Sequence, residues 1–125
     1  PSASFRDDKS NGRLAVYRAS WIADYPDAEN YLMLYESKRS APDGPNSSQF
    51  KNESFDSLVS LGKFAISDSI KANSFQLADK QLHDESRLIP LIYDESIRVL
   101  RKEWRGLPNH PMNWLDLRRT RKSLN

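Results

Sequence analysis

The chain has 125 residues, enough for one domain with a core of its own and no more. A hydrophobic fraction of 38% and a charged fraction of 29% suit a soluble globular chain whose core is small or completed by something else. The 19 basic and 17 acidic residues leave a net charge of +2, which excludes a global field for nucleic acid or an anionic membrane, and the lack of cysteine excludes a disulfide framework, a thiol nucleophile and a cysteine metal site.

In chain order, residues 1–12 form a polar lead that reads as a loop closed by Gly12. No apolar run approaches the ~18 residues of a transmembrane helix, and no signal-peptide core is present. The chain does not begin with Met, and it reads as a piece of a longer protein. The run Arg13 to Ile22 is rich in β-formers and bounded by Gly and Pro, which predicts a strand buried on more than one side. Asp24-Tyr25-Pro26-Asp27 has turn chemistry, because Pro26 fixes its own φ and pushes Tyr25 into an extended conformation. Asp27 is the expected N-cap of a short helix carrying Tyr31, Leu32, Leu34 and Tyr35, with Asn30 at its third position. Residues 37–52 form a surface loop, long for so small a domain, with Phe50 pinning its end to the core.

Asn52 then caps a helix whose stripe is Phe55, Leu58, Val59, Gly62 and Ile66. Ser67 or Asp68 caps a second helix with Ile70, Phe75, Leu77, Ala78 and Leu82 on its buried face. So short a connection predicts an antiparallel αα-hairpin, with Gly62 allowing close approach. Leu88 to Tyr93 reads as a buried strand with Pro90 at a sheet edge, and Ile97, Val99 and Trp104 as a second strand. Gly106 to Pro111 is a turn, Trp114, Leu115 and Leu117 a last short strand, and residues 118–125 a basic tail. Trp104 and Trp114 are expected as core anchors. The fold class is α/β (α+β) in the order strand, helix, αα-hairpin, strands, with too few strands for a complete sheet.

Arg18 and Asp24 are the first candidates for chemistry. On an extended strand they lie about 20 Å apart and share a face until the turn re-aims Asp24. Such a pair suits a ligand with a carboxylate at one end and an amine at the other. On spacing alone the plainer reading is favoured, in which Arg18 pairs with a scaffold acid and Asp24 caps the turn. His83 reads as a lone exposed helical histidine and His110 as a turn residue, which is not a metal site. The pairs Asp84-Glu85 and Asp94-Glu95 read as solvated surface.

The stretch Trp21-Ile22-Ala23-Asp24-Tyr25-Pro26-Asp27-Ala28-Glu29-Asn30-Tyr31-Leu32 resembles the signature of the extracytoplasmic oligopeptide- and dipeptide-binding proteins of peptide ABC importers, solute-binding protein family 5. Asn46 to Asn52, Phe55 to Leu58, Arg87 to Tyr93, Gly106-Leu107 and Asn109 to Asn113 follow the same pattern in the same order. The resemblance covers roughly residues 12–119 and corresponds only to the C-terminal part of a member. It implies a single partial domain, residues 1–125, from a periplasmic-binding-protein type II lobe. It also implies that Asp24 takes a peptide α-amino group, that Arg18 meets a peptide carboxylate, and that the backbone of Trp21, Ile22 and Ala23 pairs with the peptide as an added strand. A ligand-touching tyrosine of some relatives is replaced here by Asp94, which leaves Asp94 as the candidate pocket wall.

The resemblance further implies capture without catalysis, no cofactor, and a periplasmic or extracytoplasmic location with lipid anchoring left open. The implied partners are a short peptide, a membrane permease and the remainder of the parent chain, with no nucleic acid. Some relatives bind nickel chelates, haem or sugars, so a non-peptide solute is the first alternative. A free-standing helical-hairpin interaction module and a hydrolase built on the acidic pairs are the others.

Overall fold

Asn52 starts the best-packed part of the molecule. The computed structural model describes residues 2–110 and 112–123. Asn52 lies in extended backbone, and its Oδ1 accepts from the N–H groups of Ser54 at 2.9 Å and Phe55 at 3.1 Å. That cap opens a helix over Glu53–Phe64. In chain order the α-helices are α1 (Ser2–Ser10), α2 (Glu29–Leu32), α3 (Glu53–Phe64) and α4 (Asp68–Asp84).

Helices α3 and α4 form the expected αα-hairpin. Ser54 at the start of α3 bonds Gln81 near the end of α4 at 2.8 Å, and Asn52 bonds Glu85 at 2.6 Å, so the two run antiparallel. Phe55, Val59, Phe75, Ala78 and Leu82 are buried between them and against Leu32 and Phe50. Gly62 lies directly beneath Phe75, where a Cβ would overlap the ring. The apolar stripes are shorter than expected. Backbone at Ala65 leaves the helix with ψ 131°, so Ile66 falls in the connection and is fully exposed. Ile70 and Leu77 stand off the 75–78–82 spacing and are also exposed. Ser67 occupies the N-cap position of α4 without a side-chain bond.

The loop over 37–52 is ordered by one buried amide. Asn46 Nδ2 donates to the carbonyls of Tyr35, Glu36 and Phe50 at 3.2, 3.1 and 2.9 Å, and its Oδ1 accepts from the Ser48 hydroxyl at 2.7 Å. Phe50 closes the loop as expected, edge-on to Phe55 with ring centroids 5.3 Å apart.

Outside this core the structure corrects several expectations. Residues 2–10 are helical rather than a loop. They contain neither Gly nor Pro, and Gly12, with φ 65°, ends the turn that follows. Arg13 to Ile22 forms no strand, and neither does Leu88 to Tyr93 nor Trp114 to Leu117. Of the Ile97–Trp104 strand only Trp104 is paired. The ladder consists of β1 (Trp104–Arg105) and β2 (Arg121–Lys122), antiparallel, with Trp104 opposite Lys122. Two residues of the basic tail, Arg121 and Lys122, are therefore tied to the chain. Trp104 and Trp114 are exposed and anchor no core; Trp114 stacks on His110 at 5.1 Å instead. Pro111, the last residue of the expected turn, and residues 124–125 of the tail lie outside the described residues.

The shared cause is the lack of neighbours. A strand satisfies its backbone only against another strand, and a strand apolar on both faces needs a layer over each. Among the described residues nothing covers Ile89, Leu91, Ile92, Ile97 and Val99, which are 69–90% exposed. The architecture is a mixed one, a helical hairpin with a two-residue ladder.

Candidate ligand-recognition site

The turn after Trp21 is built by its own side chains. Asp27 N–H donates to the Tyr25 carbonyl at 2.9 Å, and Asp27 Oδ1 accepts from Glu29 N–H at 2.9 Å. The N-cap position of α2 is held by Ala28, in helical backbone and without a side-chain bond, so Asp27 is not the cap expected of it. Its carboxylate accepts from the first residue of the helix from one position further out. Asn30 is fully buried. Its Oδ1 accepts from the Trp21 indole Nε1–H at 2.7 Å and from the Asp24 backbone N–H at 3.2 Å. Two donors on one oxygen fold the 21–24 segment back onto α2.

The hairpin then grips this turn through two lysines. Lys63 of α3 pairs with Glu29 at 3.1 Å, and Lys71 of α4 pairs with Asp27. Glu29 is buried and also accepts from the Tyr25 hydroxyl. Burial opposes ionisation of Glu29, but the Tyr25 hydroxyl and the Lys63 and Arg39 charges outweigh it and hold its pKa below the ordinary value. Asp27 behaves alike: burial raises its pKa, while Lys71 and the Glu29 N–H bring it lower overall. The bond to Glu29 raises the Tyr25 pKa.

The recognition candidates stand on the outer side of this clamp. Asp24 and Arg18 are exposed, and neither side chain enters a hydrogen bond or ion pair among the described residues. The plainer reading from spacing, a scaffold partner for Arg18 and a capping role for Asp24, is therefore not what the structure shows. Backbone N–H and C=O groups of Trp21, Ile22 and Ala23 are likewise unbonded among the described residues. Ile22 is exposed, Ala23 is half-buried and Trp21 is 39% exposed. Arg18, Ala19 and Ser20 line a shallow open concavity. Because residues 13–22 are irregular, the separation and common face expected of Arg18 and Asp24 on a strand do not follow. Asp94 is exposed in the uncovered 89–100 segment, and no hydrogen bond or ion pair links it to residues 18–24.

Sequence reasoning missed Lys63 and Lys71, whose pairing with a turn more than 30 residues away leaves no local signal. Asn30 had a signal, its third position after the cap expected at Asp27, but not its bond to Trp21. Among the remaining candidates, His83 lies 3.8 Å from Asp79 one turn earlier on α4, Asp84 pairs with Lys80, and Glu85 bonds Asn52.

No protein-family model matches the chain. Among curated proteins it is 29% identical over 105 residues to the periplasmic oligopeptide-binding protein of Salmonella typhimurium, covering 82% of this chain and 18% of that protein. It is 27% identical to the periplasmic murein peptide-binding protein of Escherichia coli, covering 86% of this chain and 20% of the relative. A probable deoxycholate-binding periplasmic protein of Escherichia coli is 29% identical over 108 residues. The chain spans about a fifth of the length of these relatives. Over more than four-fifths of its own length the chain is similar to the periplasmic oligopeptide- and dipeptide-binding proteins, the solute-binding family that its Trp21–Leu32 motif resembles.

Proposed function

We propose that this chain is a C-terminal piece of an extracytoplasmic solute-binding protein that captures short peptides between two lobes and delivers them to an ABC permease. The chain supplies one wall of the cleft. Asp24 receives the peptide amino group, Arg18 receives a carboxylate, and the backbone of Trp21 to Ala23 pairs with the peptide main chain. One observation carries this reading: an unbonded main-chain segment lies between two exposed charges of opposite sign that have no partner among the described residues. Two peptide-binding relatives support it by name. Recognition of termini and main chain makes affinity largely independent of peptide sequence. The relatives' periplasmic location extends to the parent of this chain, and Asp94 remains the proposed pocket wall once the rest of the cleft is in place.

A second reading, a non-peptide solute on the same scaffold, is favoured by the deoxycholate-binding relative. The two differ in what Asp24 contributes. Isothermal titration of the intact protein with trialanine, N-acetyl-trialanine and trialanine amide separates them. A charge-assisted contact contributes about 1.5–3 kcal/mol, so each blocked terminus is expected to weaken binding by about 10- to 150-fold. Asp24→Asn should abolish the penalty for acetylation and Arg18→Ala that for amidation. Equal affinity for all three peptides would remove the assigned roles.

A further inference from the structure

Asn30 is fully buried and hydrogen-bonded to the recognition segment. Both bonds it makes there are accepted, from the Trp21 indole and the Asp24 N–H, while its Nδ2 has no partner among the described residues. The orientation of the amide follows from those two donors. An oxygen shared by them fixes the distance between the Trp21 ring and the Asp24 backbone. It thereby fixes where the Asp24 carboxylate leaves the chain. Removing the oxygen strands two N–H groups in a partly buried place and frees the segment to turn.

We infer that Asn30 is the positioning residue of the site: without touching ligand, its Oδ1 registers Trp21 and Asp24 so that the carboxylate meets the peptide amino group. This rests on the amine-binding role of Asp24 proposed above. Asn30 itself stands on α2, whose flanking acids are held by Lys63 and Lys71. The site's geometry is therefore referred to the rigid hairpin rather than to the irregular chain that carries Asp24.

The test uses the intact protein and two probes, trialanine and N-acetyl-trialanine, with the preference for the free amine as the readout. Asn30→Leu keeps the volume and deletes the acceptor. It is expected to reduce the preference by at least about tenfold and to move the Trp21 Nε1–H and Asp24 amide proton resonances upfield. Asn30→Asp restores the acceptor oxygen but brings a carboxylate into a fully buried place beside Glu29. It is therefore expected to recover the two resonances and the preference only in part, at a cost in stability. Should Asn30→Leu fail to fold, Trp21→Phe removes one of the two donors and is expected to lower the preference in part. An unchanged preference with unshifted resonances in Asn30→Leu, while Asp24→Asn abolishes the preference, would overturn the inference. A wild-type protein without amine preference would overturn the Asp24 reading, and the two resonances would then decide on Asn30 alone.

Discussion

Glu29 shows how residues outside recognition set its geometry. It is buried, yet ionised, because Tyr25 and Lys63 reach it from two sides. Its folded pKa and that of Asp27 lie below their ordinary values, so the stabilisation is present above the unfolded values of about 4 and is lost as pH falls through the lowered ones. Unfolding free energy should therefore drop below about pH 4. In Glu29→Gln, which keeps a partner for Tyr25 but loses the charge, the drop should be smaller by about 0.2–1 kcal/mol, the range of a partly exposed ion pair. Urea titrations at neutral pH and below pH 4 check this, and parallel curves for the two proteins would contradict it. At this scale the sequence was informative wherever a residue acts on near neighbours. Asn52 capping its helix and Phe50 closing its loop were both legible. Lys63 and Lys71 were not, since nothing adjacent to either distinguishes it from a solvated lysine.

The elements divide by how far their partners lie. The hairpin is nearly all local, and its first cap, its close approach and the inner part of its stripes could be read from spacing. Ile66, Ile70 and Leu77, by contrast, were placed on the buried face and are exposed. Gly62 is the strongest case. Alanine there gains helix propensity, about 1 kcal/mol over glycine, but drives a methyl into Phe75, which costs about 1–3 kcal/mol. Gly62→Ala should lower the urea midpoint with an unchanged slope, and Phe75→Leu in the same chain should recover part of the loss. A higher midpoint in the single variant would show that the ring moves aside freely. The strands were legible only as composition. Leu88 to Tyr93 is apolar enough for burial, but pairing is non-local, and a pattern names the face of a strand without naming its neighbour. The helix over 2–10 was missed for the opposite reason: its polar residues have no apolar stripe, and only its lack of breakers marks it.

At the scale of the whole molecule, one compact core around the hairpin carries two long uncovered stretches, and the chain spans about a fifth of its relatives. Exposed Ile89, Leu91, Ile92, Ile97 and Val99 form the kind of apolar surface that calls for a covering layer. In the proposed account that layer is the rest of the parent protein, which also supplies the opposite wall of the cleft. Half a cleft keeps some contacts but excludes no water, so the 125-residue chain alone should hold no peptide. Native mass spectrometry of the intact protein as purified, beside its Asp24→Asn and Arg18→Ala variants and the isolated chain, tests this most directly. The account predicts added masses of short peptides on the intact protein, lost or reduced in both variants and absent from the isolated chain. An intact protein that carries no peptide and takes up none when challenged with trialanine would contradict it.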